Sequence, residues 1–182
     1  MVSSLRWCGQ GTKSGNPKVT FCGEECATDS LEVKMRVVEA LPPNIDQVDA
    51  AFGVRKILDR HPVYFSWGDK VFSPKGGTIP PPIMAHEAVH GARQARLDQD
   101  LDKAVRRWWD AYIADPAFRL DEEIPAHAAE YEWWRARAHT LRRIKGWRSP
   151  MDWHLQQIAA RLSGPLYGRM ISLSEAKRAI GG

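Results

Sequence analysis

The chain has 182 residues, 43% of them hydrophobic and 26% charged, with a formal net charge of +4. That length and balance fit a soluble globular protein with one main core. No run approaches the roughly 18 apolar residues of a membrane span, the start Met1-Val2-Ser3-Ser4-Leu5-Arg6 has no apolar signal core, and so small a positive bias does not mark a non-specific nucleic-acid binder. The expected compartment is the cytoplasm or a virion-type assembly built from it, with neither nucleic acid nor a membrane as an expected partner.

Residues 1–29, rich in Gly, Ser, Thr and Lys, read as an N-terminal arm or small irregular subdomain ahead of a domain over residues 30–182. All three cysteines, Cys8, Cys22 and Cys26, fall in this arm. An odd number in a chain without an export signal argues against a disulfide framework. The Cys22–Cys26 spacing falls in the range of structural zinc sites, but no fourth ligand is identifiable, so free thiols are the default reading.

From Leu31 the apolar residues Leu31, Val33, Met35 and Val37 alternate with Glu32, Lys34 and Arg36, the period-two pattern of a half-buried strand, with a helix as the competing reading. Pro42-Pro43 ends it. Asn44 can cap a helix running to about Leu58, with Ile45, Val48, Ala51 and Phe52 on one face. After His61-Pro62, the segments Val63–Trp67 and Lys70–Ser73 flank Gly68-Asp69, which predicts a hairpin with a type II′ turn. Pro80-Pro81-Pro82 leads into a helical body, with helices near 83–98, 101–114, 120–145, 150–163 and 173–180. Asp115-Pro116 and Gly164-Pro165 are breaks, and Ser172 with Glu175 forms a capping box. The pairs Trp108-Trp109 and Trp133-Trp134 imply bulky helix faces. The expected fold is therefore α+β, a few small N-terminal antiparallel strands followed by a mainly helical body.

Within the first of these helices stands His86-Glu87-Ala88-Val89-His90. Helix residues four apart share a face, so both imidazoles can reach one ion, and Zn²⁺ accepts imidazole nitrogen readily. Glu87 beside them can take a proton from a water that zinc makes acidic near neutral pH. The apolar flanks Ile83-Met84-Ala85 and Ala88-Val89 predict a shielded helix. A third ligand must come from elsewhere. No histidine follows His90 at the metzincin spacing, which leaves the acidic run Asp121-Glu122-Glu123 at the start of a later helix.

The runs Ala85-His-Glu-Ala-Val-His-Gly-Ala-Arg-Gln94 and Tyr112–Ala126, with the hairpin Trp67–Pro74, resemble minimal gluzincin-type zinc metallopeptidases of the kind encoded by bacteria and phages. The resemblance covers roughly residues 63–134. It implies a zincin-like fold and hydrolysis of an amide bond in a peptide or protein substrate. Zn²⁺ would be held by His86, His90 and Glu123, with Glu87 as general base and then proton donor. Glu123 is preferred over Glu122 because a small residue, Ala126, stands three positions on. Pro125 in the first turns of the ligand helix departs from the family pattern. His127, one turn past Glu123, is an oxyanion donor, a group behind the ligands or a rival ligand. Tyr131, on the same face, is a second oxyanion candidate. The alternative is a structural or assembly component, for example of a phage particle, with little or no turnover and with assembly partners in place of a substrate. The basic stretch Arg135, Arg137, His139, Arg142, Arg143, Lys145, Arg148 reads as a solvated exterior.

Overall fold

The computed structural model describes residues 35–181. The expected arm with Cys8, Cys22 and Cys26, and the strand positions Leu31 and Val33, lie outside the described residues. What is described is α+β. In chain order it runs β1 (Arg36–Val38), α1 (Ile45–Phe52), α2 (Val54–Arg60), β2 (Phe65–Trp67), β3 (Lys70–Phe72), α3 (Pro81–Gln94), α4 (Leu101–Ala114), α5 (Pro116–Arg135), α6 (Pro150–Leu162) and α7 (Leu173–Gly181). No helix among the described residues is long and apolar enough to cross a membrane.

The hairpin β2–β3 forms in the expected place, pairing Phe65 with Phe72 and Trp67 with Lys70. Gly68 supplies φ of +60° at the first central turn position, as a type II′ turn requires. The strands are not all antiparallel, however. β1 lies beside β3 and runs parallel to it, giving a mixed sheet of order β1-β3-β2. A long connection containing α1 and α2 separates β1 from the hairpin, and such a crossover permits parallel pairing where a tight turn cannot. Val37 is 44% exposed, so the apolar side of the expected alternation is not buried there.

Two helix expectations also change. The helix predicted from Asn44 to Leu58 breaks at Gly53, whose φ of +63° closes α1 and opens α2. Asn44 makes no side-chain cap bond. Helix α5 starts earlier than predicted, at Pro116 with Asp115 accepting from the Ala117 N–H, and stops at Arg135 instead of 145. Past that point Arg137, Arg142, Arg143, Lys145 and Arg148 are exposed and no acidic residue intervenes, so no i,i+4 ion pair supports another turn. The earlier start places Pro125 mid-helix, where it forfeits the bond to the Asp121 carbonyl. The capping box at α7 is present, with Ser172 N–H on Glu175 and Glu175 N–H on Ser172.

Two apolar clusters hold the body. One joins Ile45, Val48, Phe65, Trp67, Trp108 and Trp109, and the other joins Ile158, Ala159, Leu162, Ala176 and Ile180. The facing surfaces of α3 and α5 are different in kind. Helix α3 buries His86, Glu87, His90, Gly91 and Gln94, while Ile83, Met84, Ala88 and Val89 are only half-buried. Helix α5 buries Arg119, Glu122, Glu123, Ala126, His127 and Glu130. The shielding expected of the apolar flanks of the motif comes instead from α4, through Trp108 and Tyr112. A buried polar seam is costly unless its members pair or bind something.

Gly91 sets how closely the hairpin approaches α3. A Cβ there would lie 2.3 Å from the Gly68 carbonyl oxygen and 3.1 Å from Met35 Cε. Gln94 then straps the turn, accepting from the Gly68 N–H at 2.6 Å and donating to Ser66 O at 3.1 Å. Gly91→Ala is expected to cost about 2–3 kcal/mol despite alanine's better helix propensity, because the obstructing atom is backbone. Thermal melting should show a drop on the order of 5–10 °C. An unchanged or raised melting point would mean that the hairpin does not sit on α3 in this way.

Candidate metal centre

Three of the predicted ligands converge. His86 and His90 stand one turn apart on α3, and Glu123 reaches them from α5. His86 Nε2 is 3.1 Å from His90 Nε2 and 3.6 Å from Glu123 Oε2, and His90 Nε2 is 3.5 Å from Glu123 Oε1. A tetrahedral zinc with bonds of about 2.0–2.1 Å sets its donor atoms about 3.3–3.4 Å apart. Each imidazole lies near that distance from one Glu123 oxygen, a different one for each, so the three residues are a donor set that such an ion could share. Glu123 is 2% exposed, and its Oε2 accepts no hydrogen bond among the described residues.

The neighbouring carboxylates are otherwise engaged, which supports Glu123 over Glu122. Arg93 donates from Nε to Glu122 at 2.7 Å and from Nη2 to Asp121 at 2.6 Å, clamping α3 to α5 beside the site. Tyr112 of α4 donates its hydroxyl to Glu123 Oε1, fixing the carboxylate's rotation. The Nδ1 atoms of His86 and His90 have no partner among the described residues, so these rings are held by packing. His90 meets the Trp108 ring at 5.3 Å and His86 meets the His127 ring at 4.5 Å.

Glu87 is buried beside the pair. Ser66 of β2 lies 2.6 Å from its Oε2 and 2.8 Å from its backbone carbonyl. Burial raises the Glu87 carboxyl above its ordinary value, with His90 and the Ser66 bond opposing the shift. His127 is also buried, with Nδ1 3.4 Å from Glu130 and Nε2 3.5 Å from Glu123. It thus stands between two carboxylates, with Nε2 in no hydrogen bond among the described residues. His86, His127 and Glu130 form a second grouping of donor spacing, but Arg161 occupies both Glu130 oxygens. In the first grouping the carboxylate keeps one oxygen, Glu123 Oε2, without a hydrogen bond among the described residues.

Tyr131 is not brought to the site. It packs against the second apolar cluster and does not line the cavity. It lies further along α5, where that helix packs against α6 and α7. Tyr167, for which the sequence carries no signal, stands at the site instead: it lines the cavity and meets His127 edge-on at 5.7 Å. Burial and Glu123 push its phenol well above the ordinary value, so it keeps its proton at any ordinary pH. Gln94 lay within reach of sequence reasoning, since it is one turn past His90. Ser66 and Tyr112 carried no such signal.

The two imidazoles should titrate in opposite directions in the metal-free protein. Burial, then His127 and His90, hold His86 well below 6.5. Burial also works against a charge on His90, but the adjacent Glu123 outweighs it and raises His90. Glu123 is itself opposed by burial, yet His90, His86 and His127 together keep it ionised far below the usual carboxylate range. Nitrogen-15 imidazole spectra are expected to show His90 protonated above pH 6.5 and His86 neutral below it; the reverse order would contradict this geometry. Because only the unfolded chain protonates His86 readily, this residue removes stability as pH falls through 6.5. His90 acts in the opposite sense.

No protein-family model matches the chain, and no curated protein or solved structure matches it.

Proposed function

We propose that this chain is a zinc-dependent hydrolase of the metallopeptidase kind, with a zincin-like site that cleaves an amide bond. One observation carries the reading: three buried residues of α3 and α5 bring donor atoms within 4.8 Å of one another, and Glu123 Oε2 accepts no hydrogen bond among the described residues. His86, His90 and Glu123 would hold the ion. Zinc bound there supplies a Lewis acid that polarises a carbonyl and makes a water acidic near neutral pH.

The protein groups divide the remaining work. Glu87, oriented by Ser66 and shifted towards neutral pH by burial, is suited to take a proton from water and pass it to the leaving nitrogen. Tyr167, fully protonated, is the donor placed for a developing oxyanion. Tyr112 keeps Glu123 in its ligating rotamer. Trp108 and Phe65 exclude bulk water from the same cavity.

A second reading is a metal held for structure, in a component of a larger assembly. The size of the cavity, about 90 Å³, favours it, since small-molecule sites usually run to about 300–1,000 Å³. Zinc content and peptide hydrolysis, measured on the same preparation and on Glu87→Gln, separate the two. One equivalent of zinc with Glu87-dependent cleavage supports the hydrolase. Zinc without cleavage supports the structural role, and no zinc ends both.

A further inference from the structure

The cavity wall contains a cation that no carboxylate of the described residues neutralises. Arg119 lies on α5 one turn before Glu123, so both side chains leave the same face of the helix. It is 8% exposed and lines the same cavity as His86, Glu87 and Glu123. Its Nη1 donates to the carbonyls of Tyr112 at 2.8 Å and Ile113 at 3.4 Å. The Phe52 and Tyr112 rings lie 4.9 and 5.8 Å from its guanidinium carbon. The Nε atom is buried and has no acceptor among the described residues.

Those contacts account for one nitrogen and leave the charge without a counter-ion among the described residues. Arginine does not shed its proton in a protein, and a buried charge without a counter-ion is strongly disfavoured. The planar fork of Nε and Nη2 matches a carboxylate in two parallel bonds. The surrounding wall is apolar, with Val48, Phe52, Val54 and Val63. A cavity of about 90 Å³ suits the end of a chain better than a chain running through it.

We propose, on the footing of the hydrolase reading, that Arg119 binds the free α-carboxylate of a peptide substrate whose last residue is apolar. The enzyme is then a carboxypeptidase or dipeptidase. In the reaction the last C–N amide bond breaks and the water oxygen joins the acyl carbon. Glu87 carries one proton of the water to the leaving nitrogen, the other is shed as the new carboxyl group ionises, and the terminal amino acid departs with its carboxylate still on Arg119.

Calorimetric titration of the full chain with N-acetyl-L-phenylalanine and with its C-terminal amide tests this, in both metal-free and zinc-loaded protein. The acid is expected to bind about thirtyfold more tightly than the amide. Arg119→Met should abolish that preference, and Arg119→Lys, which keeps the charge and loses the fork, should retain only part of it. Thermal melting establishes that each variant is folded, and the lysine form carries the test if the methionine form is not. Equal binding of acid and amide by the wild type overturns the proposal, as does a preference that survives in either folded variant at full size. N-acetyl-L-aspartic acid α-amide, which carries only a side-chain carboxylate, should bind no better than the phenylalanine amide. If it matches the acid, the terminal assignment fails. Arg119-dependent binding in a protein that takes up no zinc removes the hydrolase reading while keeping the carboxylate site. Zinc-dependent cleavage that ignores C-terminal amidation removes only the present inference.

Discussion

Glu87→Gln is expected to lower peptide hydrolysis by about 10³-fold while zinc remains at one equivalent, since a positioned general base contributes about 10²–10⁴-fold. Glutamine preserves the shape and can still accept the Ser66 hydroxyl bond seen at 2.6 Å, so the fold and the hairpin contact should survive. It cannot carry a proton between water and the leaving nitrogen. The pH profile provides a second readout. Burial raises the Glu87 carboxyl from 4.5, so the acidic limb of kcat/KM in the wild type should fall at higher pH than an exposed glutamate gives, with activity rising as the carboxyl ionises. Unchanged hydrolysis in the variant would exclude Glu87 as the base and, with zinc still bound, would leave the metal a structural role.

Much of this site was legible in the primary structure because helical spacing is a rigid rule. His86, His90 and Gln94 stand one turn apart, with Glu87 next to the first. On α5 the residues Arg119, Glu123, His127 and Glu130 follow the same stripe. What spacing cannot supply is the partner across the interface. Tyr112 and Ser66 reach the site because α4 and β2 pack onto it, and Tyr167 comes from a short 3-10 turn after α6. Tyr131 was misplaced for a related reason: one stripe on a helix says which residues share a face, and a helix of 20 residues packs different lengths of that face against different neighbours.

The errors in the fold have equally local causes. A single glycine in the left-handed region split one predicted helix in two, and hydrophobic spacing carries no information about φ. The parallel pairing of β1 depends on how the chain returns to the sheet, which three short alternating residues do not encode. The apolar residues flanking the histidine motif suggested burial on their own side. The structure buries the polar side instead, and this inversion is the strongest physical sign of function in the molecule, because α3 and α5 face each other across groups that water would otherwise solvate.

His90→Ala is expected to weaken zinc binding by about 10³-fold, and His127→Ala by only tenfold to a hundredfold. The first figure follows from a structural zinc free energy of about 10–16 kcal/mol shared over three or four ligands. The second is the usual cost of losing a group that supports a ligand from behind. His127 earns the smaller effect by its position. Its Nδ1 faces Glu130, which Arg161 already holds, and its Nε2 faces Glu123 at 3.5 Å, beyond hydrogen-bond reach but close enough to bias that carboxylate. Glu122→Gln should leave zinc affinity unchanged, since Glu122 serves Arg93, and should lower stability through loss of the α3–α5 clamp. Competition with a chelator of known zinc affinity measures all three variants. Equal losses for His90→Ala and His127→Ala would place His127 among the ligands and shift the ion towards the grouping with Glu130. A loss for Glu122→Gln as large as that for His90→Ala would mean that the wrong carboxylate of the acidic run had been assigned to the ion.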